Sequence, residues 1–256
     1  MIKRKGPLDI SKYCLLHSMI RSNSNRVLGV TLVLIWNLVM MSCSHPECVP
    51  RENGGSTRTL LPSNIIIKPG REGKDAQVSH YDPEKNFGDR RDLNALSWKE
   101  NGLSYTERGF IDFNLEKYLP KGVRITSAHL KLFADTVKSY YGNTGHSNVN
   151  NGNFDLKNNW QLCRVLNPWD ESTITWFDQP VTSETDVLNL SAPEFSSQGY
   201  TIDVTEYIKQ EYEGVEGYHG FMIRLRSENA YQSVIFCSSD CEQKELRPEL
   251  WVEYEM

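Results

Sequence analysis

From Arg108 to Leu115 the chain alternates: Ile111, Phe113 and Leu115 fall on one side of an extended backbone, and Arg108, Phe110 and Asp112 on the other. A period of two marks a strand with one buried and one solvated face, and it argues against the continuous apolar runs of a buried parallel sheet. The same pattern sets Leu130 and Leu132 opposite His129 and Lys131 in the run 128–134. It also sets Phe221, Ile223 and Leu225 opposite Met222, Arg224 and Arg226 in the run 221–226. Further short strands are expected at 64–68, 161–166, 233–237 and 249–255, with turn formers between them at short intervals. Such spacing points to an all-β protein, an antiparallel sandwich or barrel. One helix is expected over 203–214, where Val204, Tyr207, Ile208 and Glu211 approach helical spacing between an Asp or Thr cap and Gly214.

The chain has 256 residues, 39% of them hydrophobic, enough for one substantial core. Charge is unevenly placed. The first 42 residues carry six basic side chains (Lys3, Arg4, Lys5, Lys12, Arg21, Arg26) and one acid, Asp9, leaving 22 basic and 32 acidic groups and a net charge of −10 on the rest. A body this acidic is a poor generic partner for DNA or RNA, whose sequence-independent affinity comes from Lys and Arg neutralising phosphates. Nucleic acid is therefore not expected among its partners.

The basic segment runs into an apolar stretch, Val27–Met41, in the manner of a signal peptide. Its fifteen residues rise about 22 Å as a helix against a hydrocarbon core of about 30 Å, and Asn37 interrupts them, so a stable span is not expected. Met19 to Ser42 alone makes a complete signal, and residues 1–18 read as an upstream extension. Val39-Met-Met-Ser-Cys43 resembles the lipobox of bacterial lipoproteins, with Met40 in place of the usual Leu. That resemblance implies acylation of Cys43 and an exported, membrane-anchored protein at the outer membrane or cell surface. Residues 43–62 read as a tether and 63–256 as the folded domain. Cys237-Ser-Ser-Asp-Cys241 could close a small disulfide loop in an oxidising compartment or hold two free thiols. The Asn- and Gly-rich stretch 138–159 reads as a long loop.

The segment Asn167-Pro-Trp-Asp-Glu-Ser-Thr-Ile-Thr-Trp-Phe-Asp-Gln-Pro180 resembles the W-x-E-x-x-x-T-W-x-x-x-P signature of the DNRLRE domain, also classed as the family-ninety-six carbohydrate-binding module. Other landmarks agree in order: Lys74–Val78, Asn86-Phe-Gly88, Arg108–Leu115, Leu119-Pro-Lys-Gly122, Ile125–Leu132, Asp203-Val-Thr205, His219-Gly-Phe221 and Arg247-Pro-Glu-Leu250. The resemblance covers roughly 65–254. It implies a jelly-roll-like β-sandwich that binds polysaccharide without catalysis, often beside glycan-degrading enzymes. Transporters are the other expected clients of a concentrated glycan.

Within that frame, Trp98, Tyr140 and Tyr141 lie in polar surroundings and are candidates for stacking on sugar rings. Trp169 and Trp176 lie in the signature, where a folding role competes with stacking, Glu171 and Thr175 satisfying nearby backbone groups. Arg108, Lys131, Arg164, Arg224 and Arg226 are expected opposite the main apolar rows. If their strands adjoin, they form a basic strip suited to uronate carboxylates; cross-strand pairing with acids is the competing use. Asp75, Asp82, Asn86 and Asp89 are hard oxygen donors that a structural calcium could use, or loop caps; their spacing is not that of an EF-hand. No other cofactor is implied.

An enzyme would need an acid–base pair or nucleophile set in a cleft, and the sequence contains no G-x-S-x-G, H-E-x-x-H or P-loop motif. Arg224-Leu-Arg-Ser-Glu228 resembles an Arg-rich strand of alginate lyases but lacks the accompanying Gln-x-His strand. A β-sandwich polysaccharide lyase is the runner-up reading, and a structural or adhesive surface protein the third.

Overall fold

A computed structural model describes residues 61–135, 158–195, 197–215 and 218–256. The strands in chain order are β1 (Pro62–Ile67), β2 (Gly73–Ser79), β3 (Asp92–Glu100), β4 (Leu103–Phe113), β5 (Arg124–Leu132), β6 (Trp160–Val165), β7 (Thr182–Leu190), β8 (Tyr200–Asp203), β9 (Phe221–Leu225), β10 (Gln232–Cys237) and β11 (Glu249–Glu255). Two short helices, α1 (Leu115–Tyr118) and α2 (Thr205–Tyr212), interrupt them. Sheet A has the order β1-β11-β5-β8 and sheet B the order β10-β3-β4-β9-β6-β7, with β2 also paired to β4. Every pairing is antiparallel. The protein is an all-β sandwich, as its alternation requires.

The two sheets share one core. Sheet A contributes Ile67, Leu130, Leu132, Leu250 and Val252, and sheet B contributes Ile111, Phe113, Trp160, Leu162, Phe221, Ile223 and Phe236. These are the inward rows of the alternating strands. The expected solvated outer face holds for sheet A. It fails for the middle of sheet B, where Ala76, Val78, Phe110, Cys163, Val165 and Met222 form a second cluster beneath Trp169 and Ile174. Phe110 lies on the side opposite Ile111 and is just as buried. What covers it is the loop 166–181, closed at its neck by Leu166 N–H donating to Val181 O (2.8 Å) and Val181 N–H to Asn167 Oδ1 (2.9 Å).

The helical content differs from expectation. The single helix expected over 203–214 is α2, and α1 is a second, four-residue turn capped by Asn114, whose side chain accepts from Lys117 N–H. The N-cap position of α2 is Val204, without a side-chain bond, while Asp203 Oδ1 accepts the Thr205 N–H (2.9 Å) and so satisfies the first amide of the helix, as an Asp at this end was expected to do. Thr205 Oγ1 accepts from Ala128 N–H (2.9 Å), tying the helix start to β5. Gly214, at φ 75°, ends the helix as expected.

Gly88 shows how tightly the covering loop is held. A Cβ on Gly88 would lie 2.3 Å from Glu171 O, a backbone atom that cannot swing aside. Gly88→Ala is expected to lower stability by about 1–3 kcal/mol, read as a fall in thermal midpoint by circular dichroism, whereas Gly122→Ala, with nothing near its Cβ, carries only its positive-φ strain.

Candidate glycan-binding surfaces

The signature loop is built into the sandwich by its polar residues. Glu171 Oε1 accepts the Asp75 N–H of β2 (2.9 Å), and Asn86 Nδ2 donates to both Glu171 O (2.8 Å) and Ile174 O (2.9 Å). Asn86 Oδ1 in turn accepts from Gly88 N–H. Trp169 is buried, its Nε1 donating to His219 O (2.9 Å) and its ring lying under Lys74 Nζ (4.5 Å to the centroid). Trp176 has Arg108 over its ring (4.7 Å) and His80 at its edge. Both signature tryptophans thus serve folding, as does Glu171. Thr175 bonds within its own loop, to Asp178.

Asp75 and Asn86 are consumed by the same lock. Asp75 Oδ1 and Oδ2 accept from Ser239 Oγ and Ser239 N–H at 2.8 and 2.7 Å, inside the 237–241 loop. Asp75, Asp82, Asn86 and Asp89 therefore do not assemble a calcium cage, and among the described residues no three His, Cys, Asp or Glu are grouped to hold a metal. The competing use as loop locks is the one observed for Asp75 and Asn86.

The five cations expected in one strip are divided. Lys131 lies on sheet A, its Nζ over the Trp251 ring (3.3 Å to the centroid). Arg164 falls in register with the inward row of β6 and donates from Nη1 to Asp186 Oδ2 and to Gln210 Oε1 of α2, both at 3.1 Å. Arg108 is on the outer face of sheet B, where Nε and Nη2 fork onto Glu228 (2.7 and 2.9 Å) and Nη1 reaches Gln179 (3.0 Å). Two of the five thus carry a carboxylate partner, and one is on the opposite layer. Arg224 and Arg226 remain.

Arg224 follows Met222 on the outer face of β9. Extending the β4–β9 register by one residue places Arg108 beside it, and Gln161 is its partner on β6. Arg224 Nε donates to Gln161 Oε1 (3.1 Å), and Gln161 Nε2 donates to Asn189 Oδ1 of β7 (2.9 Å). Burial pushes the Cys163 thiol up, while Arg224 and Arg108 pull against it. The result is a polar row, Arg108–Arg224–Gln161–Asn189, crossing four strands. At about 4.8 Å per strand it runs roughly 14 Å, and it was not visible in the sequence because Gln161 and Asn189 carry no motif. Arg226, two residues past Arg224, is exposed, and its side chain makes no hydrogen bond or ion pair among the described residues.

Trp98 is half-buried on the β3–β4 hairpin. Its cross-strand partner is Tyr105, Tyr231 meets it edge-on (5.1 Å) and Tyr81, 46% exposed, stacks on Tyr105 (4.4 Å). The preceding pair, Ser97 and Thr106, faces the other side of the ribbon, where Ser97 Oγ donates to Glu228 O. By alternation the aromatic group and the Arg108–Glu228 fork lie on opposite sides of that hairpin. Tyr81, Tyr105 and Tyr231 were not singled out from the sequence. Tyr140, Tyr141 and Cys43 lie outside the described residues.

The fold is an all-β sandwich whose outer faces carry polar rows and exposed aromatics, with Trp169 and Trp176 packed under the signature loop. Residues 70–254 match carbohydrate-binding module family 96, and the chain belongs to that family. Residues 70–254 are thus a carbohydrate-binding module. No curated protein matches the chain.

Asp75 gives a pH prediction. Burial raises its carboxyl from 3.8 to about 7 against the two Ser239 bonds. Between those values the folded state holds a proton that the unfolded chain has released, so stability falls as pH rises from about 4 to about 7, by at most about 1.4 kcal/mol per pH unit. Thermal midpoints are expected to be higher at pH 5 than at pH 8, and Asp75→Asn is expected to flatten that difference.

Proposed function

We propose that this module holds an anionic, uronate-bearing polysaccharide on the outer face of sheet B, as an exported lipoprotein anchored through acylated Cys43. The observation that carries the reading is the polar row through Arg224, Gln161 and Asn189, with Arg226 nearby lacking an ion pair among the described residues, on a body of net charge −10. On so acidic a surface, two neighbouring guanidiniums without carboxylate partners among the described residues are unusual, and a guanidinium matches a carboxylate with two parallel N–H···O bonds. Gln161 and Asn189 offer amide groups to ring hydroxyls along the same row. Trp176, under Arg108, supports the row from below and does not stack on the sugar.

Binding at one such row is weak, because each contact is solvated before the polymer arrives. Many anchored copies on one chain raise the avidity. This suits delivery of the polymer to glycan-degrading enzymes or transporters in the same envelope.

In affinity electrophoresis with gels containing a polyuronate or a neutral glucan, the protein is expected to be retarded by the polyuronate. Arg224→Ala/Arg226→Ala should lose at least about tenfold in affinity, equivalent to about 1.4 kcal/mol, while Trp98→Ala changes it little. Retardation by the neutral polymer alone would reverse the assignment.

The same export reading makes Cys237 and Cys241 a disulfide in the oxidising compartment. In the structure they are free thiols, buried and 3.0 Å apart, across the loop whose Ser239 locks Asp75. Protein recovered from the envelope is expected to weigh about two mass units less than its reduced form, with no thiol released from these positions on denaturation.

A further inference from the structure

The uncovered outer face of sheet A carries a second arrangement that the polar row does not use. Registers across its four strands place Ile66, Trp251, His129 and Asp203 in one line, β1 to β8. Trp251 stands at the second position of that line, on an interior strand, and is 40% exposed. An indole that open on an interior strand is held there by two contacts. Its Nε1 donates to Glu249 Oε2 (2.8 Å), and the Lys131 ammonium lies on its ring. Glu249 is engaged a second time by Lys68 (2.6 Å), and Asp203 accepts from Thr205. Lys131, by contrast, has the ring and no ion pair among the described residues.

We infer that Trp251 and Lys131 form a second uronate-binding site on sheet A, back to back with the row on sheet B, so that one molecule holds two polymer chains. This rests on the carbohydrate-binding reading above. The chemistry is specific to an acidic pyranose. The indole offers a flat apolar face to the C–H side of the ring, and the ammonium now covering that face is mobile on a four-carbon stem. When a uronate ring stacks, the ammonium moves to the ring's edge and meets its carboxylate, so stacking and ion pairing are gained together. A neutral pyranose would have to displace the ammonium with nothing to offer it. The acids of this face are engaged: Glu249, opposite Lys131, is held by Lys68 and Trp251, Asp203 by Thr205, Glu255 by Arg124, and the exposed Glu253 accepts from Ser127 Oγ.

The two sheets are opposite layers around one core, so the two sites face away from each other and cannot grip the same segment of a stiff polymer. A monomer with both sites cross-links chains.

The test is the stoichiometry of a short oligouronate, by isothermal titration on the purified protein, with a neutral oligoglucan as control. Wild type is expected to bind two uronate oligomers. Trp251→Ala/Lys131→Ala and Arg224→Ala/Arg226→Ala are each expected to bind one, and the quadruple variant none. Light scattering from long polyuronate should rise with wild type and with neither double variant. One site in wild type, lost with Arg224 and Arg226 and untouched at Trp251, overturns the second site and leaves the first. One site lost only at Trp251 and Lys131 overturns the sheet B assignment and with it the holding of two chains, and leaves Trp251 and Lys131 as the single site. Self-association of wild type that the Trp251 variant abolishes, without change in oligouronate binding, makes the face a contact between copies and overturns the inference. Trp251→Phe with Lys131→Gln, which keeps the packing, guards against misfolding as the cause of any loss.

Discussion

The structure depends on one exchange of hydrogen bonds between segments almost a hundred residues apart. Glu171 accepts the Asp75 amide of β2, and Asn86 returns two bonds to the carbonyls of Glu171 and Ile174. With the neck bonds and the buried Trp169, they hold the 166–181 loop over sheet B, where it covers Phe110, Val78 and Met222. Buried polar groups left unpaired cost about 1–3 kcal/mol each, so the lock is made nearly all at once or not at all. That explains why the signature has the composition it does. Its tryptophans fill the space beneath the loop and its Glu and Asn hold the loop down, while the Asn-aromatic-Gly turn keeps Gly88 bare so that Glu171 O can approach.

The same lock decides what is left for ligands. A loop lying over the centre of sheet B removes that area from the surface, and the polar row lies beside the covered patch, on β4, β9, β6 and β7. Arg108 stands at the boundary between the two. It supports the loop through Gln179 and Trp176, and it is neutralised by Glu228. A guanidinium in that position is structural, and the free donors begin one strand further on, at Arg224.

Strands were legible where alternation marks an inward row: β4, β5, β9 and β11 overlap the expected segments, although the outer face of β4 and β9 is itself covered at Phe110 and Met222. β3, β7 and β8 were missed for a different reason in each case. β3 has only Leu93 and Ala95 as clear core residues among Asp, Asn and Ser, β7 is an edge strand that stays half-exposed, and β8 has four residues. α1, a single turn after β4, is too short to carry a period. The candidate site was legible in type and not in place. Arginines on strands suggested carboxylate recognition, yet Arg108 meets its partner Glu228 across 120 residues, and Lys131 shares a face with Trp251 only because β5 lies beside β11. Alternation says which face a residue takes within its strand; it says nothing of which strand lies alongside.

Two polar faces on one small sandwich also account for the spread of charge. A uronate polymer and an acidic body repel at long range, and at physiological salt that repulsion is screened beyond about 8 Å. In the proposed binding mode, affinity then comes from the cations that lack a carboxylate partner among the described residues, while the paired ones hold strands in register. Arg124 with Glu255, Arg164 with Asp186 and Arg90 with Glu107 and Asp92 are among the paired. Adding more free arginine would raise affinity at a site and also bind polyanions without selection. The proposed arrangement of two modest sites on opposite faces would avoid this, because selectivity would then come from ring shape and carboxylate position at each site, and strength from the number of chains a molecule can hold together.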